Sequence, residues 1–324
     1  MKSKNIFLPN KELIGADGTI WNLPNYDGEL FTADQVNTPL LTAIGGLNGG
    51  LSTTNFEFPT ASLYEHDTAE QPEITETASI AGVTATHSAR TQEKNVTQIF
   101  MEAISVSYVK MSNQGRLSGI NSAGASNSAE DELAFQQMVK LQTIARDVNY
   151  SFHNGSYQIS TSAAVANKTR GLLELCASNN TLNAAGAALS KTLMDSIFRT
   201  MYTAGAIFNN VVIYVNAFQK QRLSKEYGYV PTDRTVGGVA IDQIVTDFGL
   251  IGVRLDKMMP AASLGIYEMS VLAPVFQPVP GKGNLFYEPL SKSGAAEKGQ
   301  MFGQIGLDHG PGFMHGSITN LATS

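Results

Sequence analysis

The most regular pattern of apolar and polar positions in the chain predicts one long amphipathic helix. Ser128 is a suitable N-cap, and acidic residues follow it in the first turn, where the helix dipole favours negative charge. Apolar residues then recur at spacings of four and three, which places them on one helix face: Ala134, Met138, Leu141, Ala145, Val148 and Phe152. We therefore predict a helix over Ser128–His153, about 37 Å long.

Other apolar runs predict strands and shorter helices in an irregular order. Gln98–Val109 predicts a strand, and the continuous apolar run Val211–Val215 predicts a fully buried strand. Asn216 can cap a helix that ends before Gly228, and Val236–Leu255 has the pattern of a hairpin. A further helix is predicted with an apolar face of Leu193, Ile197, Met201, Ala204 and Phe208, and C-terminal strands at Asn284–Leu290, Gln300–Leu307 and Ser317–Leu321. This order is typical of an α+β fold rather than of a regular βαβ alternation.

The N-terminal third of the chain lacks the pattern of a self-contained core. Residues 1–52 are interrupted by proline and glycine turns, yet they contain Trp21 and several large aliphatic residues, which disordered tails usually lack. In residues 53–98, the alternation in Asn55–Phe58 and in Ile80–Thr84 predicts short strands. A two-stranded excursion is marginally stable alone, so we expect an extended arm and an extended loop that both need a partner surface.

The charge of the chain is concentrated in this predicted loop. The whole chain of 324 residues carries a formal charge of −6. Six acids and no Lys or Arg lie between Phe56 and Ala89, so the remaining residues sum to about zero. Either the acids and the basic tail of Lys2, Lys4 and Lys11 are solvated, or each of the two lies against a complementary surface. The acidic balance argues against nucleic-acid binding over the whole surface.

Composition excludes several classes of protein. No apolar stretch approaches the roughly 18 residues needed to span a bilayer, so no membrane partner is expected. The lysine-containing N-terminus lacks the apolar region of a signal peptide. The single cysteine, Cys176, excludes internal disulfides and cysteine-cluster metal sites. Since it follows an apolar run, we predict a buried, inert thiol in a protein made in a reducing cytosol.

Candidate catalytic motifs fail in context. Asp247–Gly249 matches the magnesium-binding tripeptide of protein kinases, but no catalytic loop precedes it, so a turn is the better interpretation. Gly281–Gly283 lacks the spacing of a phosphate loop. The five histidines are scattered; His309 and His315 flank a Gly-Pro-Gly turn without a third ligand nearby in sequence. We predict no catalytic, cofactor-binding or metal-binding residue and no enzyme, although a cytosolic enzyme of unknown type stays open as an alternative.

Five local segments, taken in order, carry a family resemblance: Asn37–Leu41, Asn95–Phe100, Asp131–Gln136 with Arg146–Asn149, Asp247–Gly249 with Met259–Pro260, and Glu288–Gly294 with Glu297–Gln300. Together with the order of arm, loop, long helix, α/β region and returning strands, they resemble the major capsid proteins of tailed bacteriophages. The resemblance spans about residues 34–321. It implies the Hong Kong 97-type fold of that family.

The resemblance implies a division of the chain and a role. The implied parts are an N-terminal arm (1–52), an extended β-hairpin loop (53–97), a peripheral domain with the spine helix (98–169), an axial domain (170–260), and C-terminal strands returning to the peripheral domain (261–324). The implied function is self-assembly into pentamers and hexamers that form an icosahedral virion head around double-stranded DNA, with assembly in the host bacterial cytoplasm. The implied partners are a portal, a separate scaffolding protein and DNA bound non-specifically on the inner face. An encapsulin-like compartment enclosing a cargo enzyme is the alternative.

Three hypotheses on assembly follow from the resemblance and the residues together. Only about 33 residues precede the matching region, so we expect no scaffolding domain and no N-terminal cleavage. The loop from Phe56 to Glu93 contains no lysine, so the lysine–asparagine cross-link of the namesake shell is not expected. The loop is instead expected to face outward and contact neighbours through apolar and charged side chains, with the following inter-subunit contacts predicted: Trp21, Phe56, Phe58, Tyr64, Glu70, Glu73, Ile74, Glu76, Lys140 and Arg146.

Overall fold

A computed structural model describes residues 37–64, 66, 68–82, 84–85, 87–112, 132–227, 243–291 and 294–323. Their helices are α1 (Pro39–Ala43), α2 (Glu76–Ala81), α3 (Tyr108–Ser112), α4 (Glu132–Asn154), α5 (Leu172–Ser178), α6 (Lys191–Thr203) and α7 (Ala217–Glu226). Their strands are β1 (Leu51–Ser52), β2 (Glu57–Tyr64), β3 (Arg90–Val96), β4 (Gln98–Ser107), β5 (Thr181–Asn183), β6 (Val211–Val215), β7 (Gln243–Thr246), β8 (Gly249–Leu255), β9 (Leu264–Glu268), β10 (Ala273–Phe276), β11 (Leu285–Pro289), β12 (Ala296–Asp308) and β13 (Gly316–Thr319).

A five-stranded sheet is built around the long strand β12. One edge of β12 pairs antiparallel with β4, from Ala296 opposite Ser107 to Ile305 opposite Gln98. Its other edge pairs with β11 and then with β10, and β1 adds a parallel pair to β10. Helix α4 packs on one face of this sheet, and the core between them contains buried residues of helices α1, α4 and α5 and of the sheet: Leu40, Leu41, Phe100, Ile104, Ile144, Val148, Phe152 and Leu172.

A second, six-stranded sheet has the order β5-β13-β9-β6-β8-β7. Side chains alternate along strand β6 and enter two different cores. Ile213 packs with α6 and α7 on one face, whereas Tyr214 packs with the α4 core on the other. Strand β6 is therefore covered on both faces, which explains its continuous apolar sequence.

The third sheet is a hairpin of β2 and β3 that leaves the body of the subunit. Glu57 pairs with Val96 at its base and Tyr64 with Arg90 at its far end, and a register shift lies between Pro59 and Ala61. The residues between the two strands include the short helix α2. The predicted two-stranded excursion is thus confirmed.

Several predicted elements are confirmed because their local signals are strong. The strands predicted at 98–109 and 211–215 are β4 and β6. The side chain of Asn216 caps α7 by accepting a hydrogen bond of 3.0 Å from the Gln219 backbone N–H, while Gly228 lies outside the described residues. The Asp247–Gly249 tripeptide forms the turn between the antiparallel strands β7 and β8. The C-terminal strands predicted in three segments correspond to β11, β12 and β13.

Two predictions of local structure are wrong. Ile80 belongs to helix α2 rather than to a strand, because the Thr75 hydroxyl accepts a hydrogen bond from the Ala78 N–H and starts a helix. Gly82, with φ of 82°, ends that helix. Helix α6 ends at Thr203, so Ala204 and Phe208 lie beyond the helical face on which they were predicted.

The apolar stripe of α4 is buried along half of its length. Val148 and Phe152 lie in the core, whereas Ala134, Met138 and Leu141 are exposed. Within the described residues the helix begins at Glu132, and its predicted cap, Ser128, lies outside them. The subunit therefore covers the C-terminal half of this helix and leaves apolar side chains uncovered near the other end.

The ends of the chain are less separate from the body than expected. Leu40 and Leu41, within the predicted arm, are fully buried in the subunit's own core. Of the C-terminal strands expected to return to the peripheral domain, β10, β11 and β12 join the sheet of β4, but β9 and β13 lie in the six-stranded sheet. Strand β13 lies there because it forms hydrogen-bonded pairs with β9 on one side and with β5 on the other. The domain boundaries themselves stay a prediction.

Candidate inter-subunit surfaces and the buried polar centre

The tip of the β2–β3 hairpin presents acidic and apolar side chains to its surroundings. Glu70, Glu73 and Glu76 are exposed, and Glu76 lies in the first turn of α2, where its charge favours the helix. Ile74 and Ile80 retain 57% and 83% of their accessible surface. Both isoleucines are therefore available for contact with another molecule.

The base of the hairpin is fixed to the body of the subunit. Phe58 is only 6% exposed. Its ring lies where a side chain at Gly306 would stand, 2.9 Å from an ideal Cβ there, so this close approach requires glycine. Across the hairpin Lys94 forms a 2.7 Å ion pair with Glu57. The hydrogen bond and charge of Glu57 raise the pKa of Lys94 above its ordinary value.

The spine helix α4 combines basic and apolar side chains on its accessible side. Met138 and Leu141 are exposed, and Lys140 between them forms a 2.7 Å ion pair with Glu102 of β4. Arg146 is half-buried further along the same helix. Beside it, burial raises the pKa of Asp147, and the nearby Glu102 carboxylate adds to that shift.

The outer face of the five-stranded sheet carries an apolar row that the sequence pattern did not single out. Met101 of β4 lies opposite Phe302 of β12, which lies opposite Phe286 of β11, so the three side chains share one face. The two phenylalanine rings are 5.8 Å apart, and Ile99 and Met101 are 60% and 57% exposed. Strand β4 carries apolar residues on both faces, and this lack of alternation was the available signal that its second face is apolar too.

A buried polar centre connects α4 with the six-stranded sheet. Asp256, which follows β8, accepts hydrogen bonds from the Asn149 amide at 2.9 Å and from the Met258 backbone N–H at 2.8 Å. His153 Nε2 lies 3.1 Å from the same carboxylate, and both side chains are fully buried. Burial alone would raise the pKa of Asp256, but the hydrogen bond and charge of His153 and the bond from Asn149 lower it overall.

This centre is an aspartate–histidine pair without access to a substrate. Its role is therefore structural: it satisfies buried polar groups, and the side-chain Oδ1 of Asn149 also accepts the backbone N–H of Leu41 at 3.0 Å. Sequence reasoning missed the centre, although Asn149 and His153 are spaced four residues apart beside the apolar stripe. A polar pair at that spacing was the available signal.

The single cysteine is also buried in the interior. Cys176 is fully buried, as predicted, and burial raises the pKa of its thiol far above the ordinary value. Among the described residues, no group of three or more His, Cys, Asp and Glu side chains could hold a metal ion. No helix in the described ranges is both long and apolar enough to cross a membrane.

Comparison with known proteins supplies the identity of this fold. The sequence profile of the SU10 major capsid protein matches residues 13–322. The chain belongs to the SU10 major capsid protein family. No curated protein shows significant sequence similarity to it.

Solved structures similar to this capsid protein share its fold at low sequence identity. The capsid of cyanophage A-1(L) has a TM-score of 0.67 and 12% identity over 92% of this chain and 96% of that one. The capsid of a native GTA particle has a TM-score of 0.59 and 13% identity over 96% and 99%. An encapsulin complex of Synechococcus elongatus has a TM-score of 0.53 and 8% identity over 91% and 94%. The predicted Hong Kong 97-type α+β fold is confirmed.

As a member of this family, the capsid protein is a structural component of a phage head and forms a homo-oligomeric shell in the virion. The predicted contact residues fall into three groups in the described structure. Phe56, Tyr64, Glu70, Glu73, Ile74 and Glu76 are exposed on the hairpin, whereas Lys140 and Arg146 lie on α4. Phe58 has little surface left for a neighbour, and Trp21 lies outside the described residues. Their role between subunits stays a prediction.

Proposed function

We propose that this capsid protein assembles through its hairpin into pentamers and hexamers that close an icosahedral head around double-stranded DNA. The observation that carries the proposal is the hairpin tip, where Ile74 and Ile80 are exposed on an excursion too thin to bury them. Each large aliphatic side chain contributes about 1.5–3 kcal/mol when it becomes fully buried, so a neighbour that covers the tip gains substantial stability.

The charge of the hairpin sets how it faces its neighbours and the genome. Glu70, Glu73 and Glu76 repel phosphate, so the tip faces the outside of the head and packaged DNA lies on the opposite, inner side. The receiving surface on the adjacent subunit is basic or polar; the candidate is the face of α4 with Arg146 and with Lys140, whose charge is partly balanced by its ion pair with Glu102. One exposed ion pair is worth about 0–1 kcal/mol, but the shell repeats the contact in every subunit.

The exposed apolar faces of α4 and of the five-stranded sheet are further contact surfaces in this proposal. The helix and the sheet form one layer with two exposed apolar sides. One side carries Met138 and Leu141 of the helix, and the other carries Ile99 and Met101 of the sheet. A subunit with neighbours on both sides buries both faces. The proposal also includes assembly in the bacterial cytoplasm, with a portal and a separate scaffolding protein as partners, and no enzymatic activity.

The encapsulin-like fold supports the alternative function of a compartment for a cargo enzyme. The match to a phage capsid family over residues 13–322 favours the genome-containing head. Electron microscopy of the purified assembled protein, combined with analysis of its contents, distinguishes the two. We expect uniform closed shells with five- and six-fold capsomers whose native particles contain DNA. Shells that contain a protein cargo instead support the compartment, and a monomer near 34.7 kDa under all conditions contradicts both.

A further inference from the structure

The turn between β12 and β13 is the point where all three sheets meet. It begins at Asp308, the end of β12, and leads through the short helical turn Gly312–Met314 to β13. On one side it contacts the hairpin: the Gly312 N–H donates to the Glu93 carboxylate at 2.9 Å, and His309 Nε2 lies 3.4 Å from the Thr60 hydroxyl. This turn therefore fastens both hairpin strands to the body.

On its other side the turn contacts the six-stranded sheet through His315. The His315 Nε2 atom lies 2.7 Å from the His309 carbonyl oxygen, which can only accept, so Nε2 carries a proton. Its Nδ1 atom accepts the Glu268 backbone N–H at 3.3 Å and must therefore be unprotonated. Both ring nitrogens are occupied in the neutral form, and the ring is fully buried.

His309 is held in a neutral form by the same logic. Its Nδ1 atom donates to the Gly310 carbonyl at 2.7 Å, which leaves Nε2 to accept from Thr60. The ring is also fully buried, although the Glu93 carboxylate lies 3.9 Å from Nδ1. If His309 gains a second proton, a hydroxyl and a carboxylate lie near the charged ring. If His315 gains a second proton, that proton points at a backbone N–H. Of the two, His315 tolerates a positive charge less well.

The charged and titratable groups around these rings do not remove that penalty. Glu93 faces His309 from β3, and the positive charges of His315 and Arg170 disfavour its protonation. Asp308 precedes it at the end of β12, and burial raises the pKa of that carboxyl. His315 contacts the Tyr267 ring, 6.1 Å away on β9, and the backbone of Glu268, whose carboxylate accepts backbone N–H groups of Asn209 and Asn210.

We propose that the segment Asp308–His315 is an acid-sensitive latch that sets how the hairpin leaves the subunit. Neutral imidazoles close the latch, and protonation opens its contacts with Thr60 and Glu268. The latch itself lies within one chain. Only its consequence for neighbouring subunits, a change in how the hairpin tip reaches them, rests on the proposed shell function.

The direction of the pH dependence follows from the buried state of the two rings. Burial lowers the pKa of His309 and of His315 from 6.5 to about 4. The closed latch thus binds protons more weakly than an open one in which both rings are hydrated. The contribution of the two rings to its stability is complete above about pH 6.5 and is lost as the pH falls from there towards about 4.

Hydrogen–deuterium exchange on the full-length chain tests the latch, both in unassembled subunits and in shells. Exchange is measured at about pH 7.5 and about pH 5 and corrected for the intrinsic rate at each pH. We expect the protection of peptides covering residues 57–64 and 90–96 to fall by about tenfold or more at the lower pH, with α7 in the same sample unchanged. Equal protection at both pH values overturns the proposal, as does an equal loss in α7, which indicates global unfolding.

Matched variants separate the latch from other titrations. Thr60→Val removes the hydroxyl next to His309 and should increase exchange of the hairpin base several-fold already at the higher pH. His309→Gln should reduce the pH response, while His87→Gln, which removes an exposed imidazole of the hairpin, should leave it unchanged. If His309→Gln fails to fold, the wild type, Thr60→Val and His87→Gln still decide the outcome. A pH response abolished by His87→Gln contradicts the latch.

The two states of the sample keep this test independent of the shell. Unassembled subunits report on the latch even if shells never form, in which case the proposed shell function fails by itself. A pH response in subunits without one in shells shows that neighbours hold the hairpin closed, which supports the latch and its predicted coupling to assembly. Shells that form normally but contain a hairpin insensitive to pH in both samples refute the latch alone.

Discussion

The six-stranded sheet and the β2–β3 hairpin belong to one chain but depend on different surroundings. Strand β6 has buried side chains on both faces. On one of these faces, Phe198 of α6 packs with the sheet in a hydrophobic core. The hairpin is buried at its base, where Phe58, Asn95 and Val96 lie, while Ile80 near its tip is 83% exposed. The sheet is stabilised within the subunit, whereas the hairpin tip is left uncovered there, and only the proposed assembly would cover it.

Phe198→Ala should produce the largest effect, because it removes a core side chain that packs against the six-stranded sheet within the subunit. Removing a fully buried phenylalanine leaves a cavity and costs about 3–5 kcal/mol, a large share of the stability of a typical domain. We expect loss of soluble subunits or a marked fall in the urea midpoint of unassembled protein. Ile80→Ala is the matched control: it should leave the subunit midpoint unchanged and lower only the melting temperature of assembled shells. Equal effects of both variants on free subunits contradict the comparison.

Asp256→Ala should rank next, because it removes the partner of a fully buried histidine. Breaking such a pair costs about 3 kcal/mol or more, and chemical denaturation of unassembled subunits measures it. The pKa of Asp256 is lowered in the fold, so the contribution of its carboxylate is complete above its ordinary value of 3.8 and is lost as the pH falls below it. The variant should therefore lose less stability than the wild type between about pH 4 and pH 2. A parallel acid profile for the two proteins would show that the pair does not act this way.

The triple change Glu70→Gln, Glu73→Gln and Glu76→Gln should have a moderate effect confined to assembly. These carboxylates are exposed, so free subunits should unfold as the wild type does. Shells should release their contents at a lower temperature at low salt, and high salt should weaken wild-type shells towards the same value because it screens the contacts. Unaltered assembly yield and thermal release at low salt mean that the acidic run is a solvated face.

We expect no covalent cross-link between the hairpins of neighbouring subunits, which is the smallest of the expected effects. Residues 56–93 contain no lysine, and Lys94 at the base forms an ion pair with Glu57. Mature heads boiled in detergent and reductant should give one band near 35 kDa, close to the chain mass of 34.7 kDa. A ladder of resistant oligomers would instead show that the hairpin is held by bonds rather than by burial and charge.

Local sequence signals determined the elements whose partners are adjacent in the chain. The apolar stripe of α4, the continuous run of β6, the Asn216 cap and the turn at Asp247–Gly249 each depend on contacts over a few residues. The order of these elements and five short segments were enough to indicate the capsid fold. Helix α2 was missed because a Thr75 cap and one turn of helix leave a weak periodic signal beside the β-branched residues around it.

Tertiary structure alone decided which surfaces are buried and which polar groups meet. The sequence marks Met138 and Phe152 as one apolar stripe, but only the position of the sheet and of α1 decides that Phe152 is covered and Met138 is not. His153 meets Asp256, 103 residues away, and Glu93 meets Gly312, 219 residues away. Such pairs depend on strand register and helix docking, which sum over many distant contacts, so no local pattern contains them.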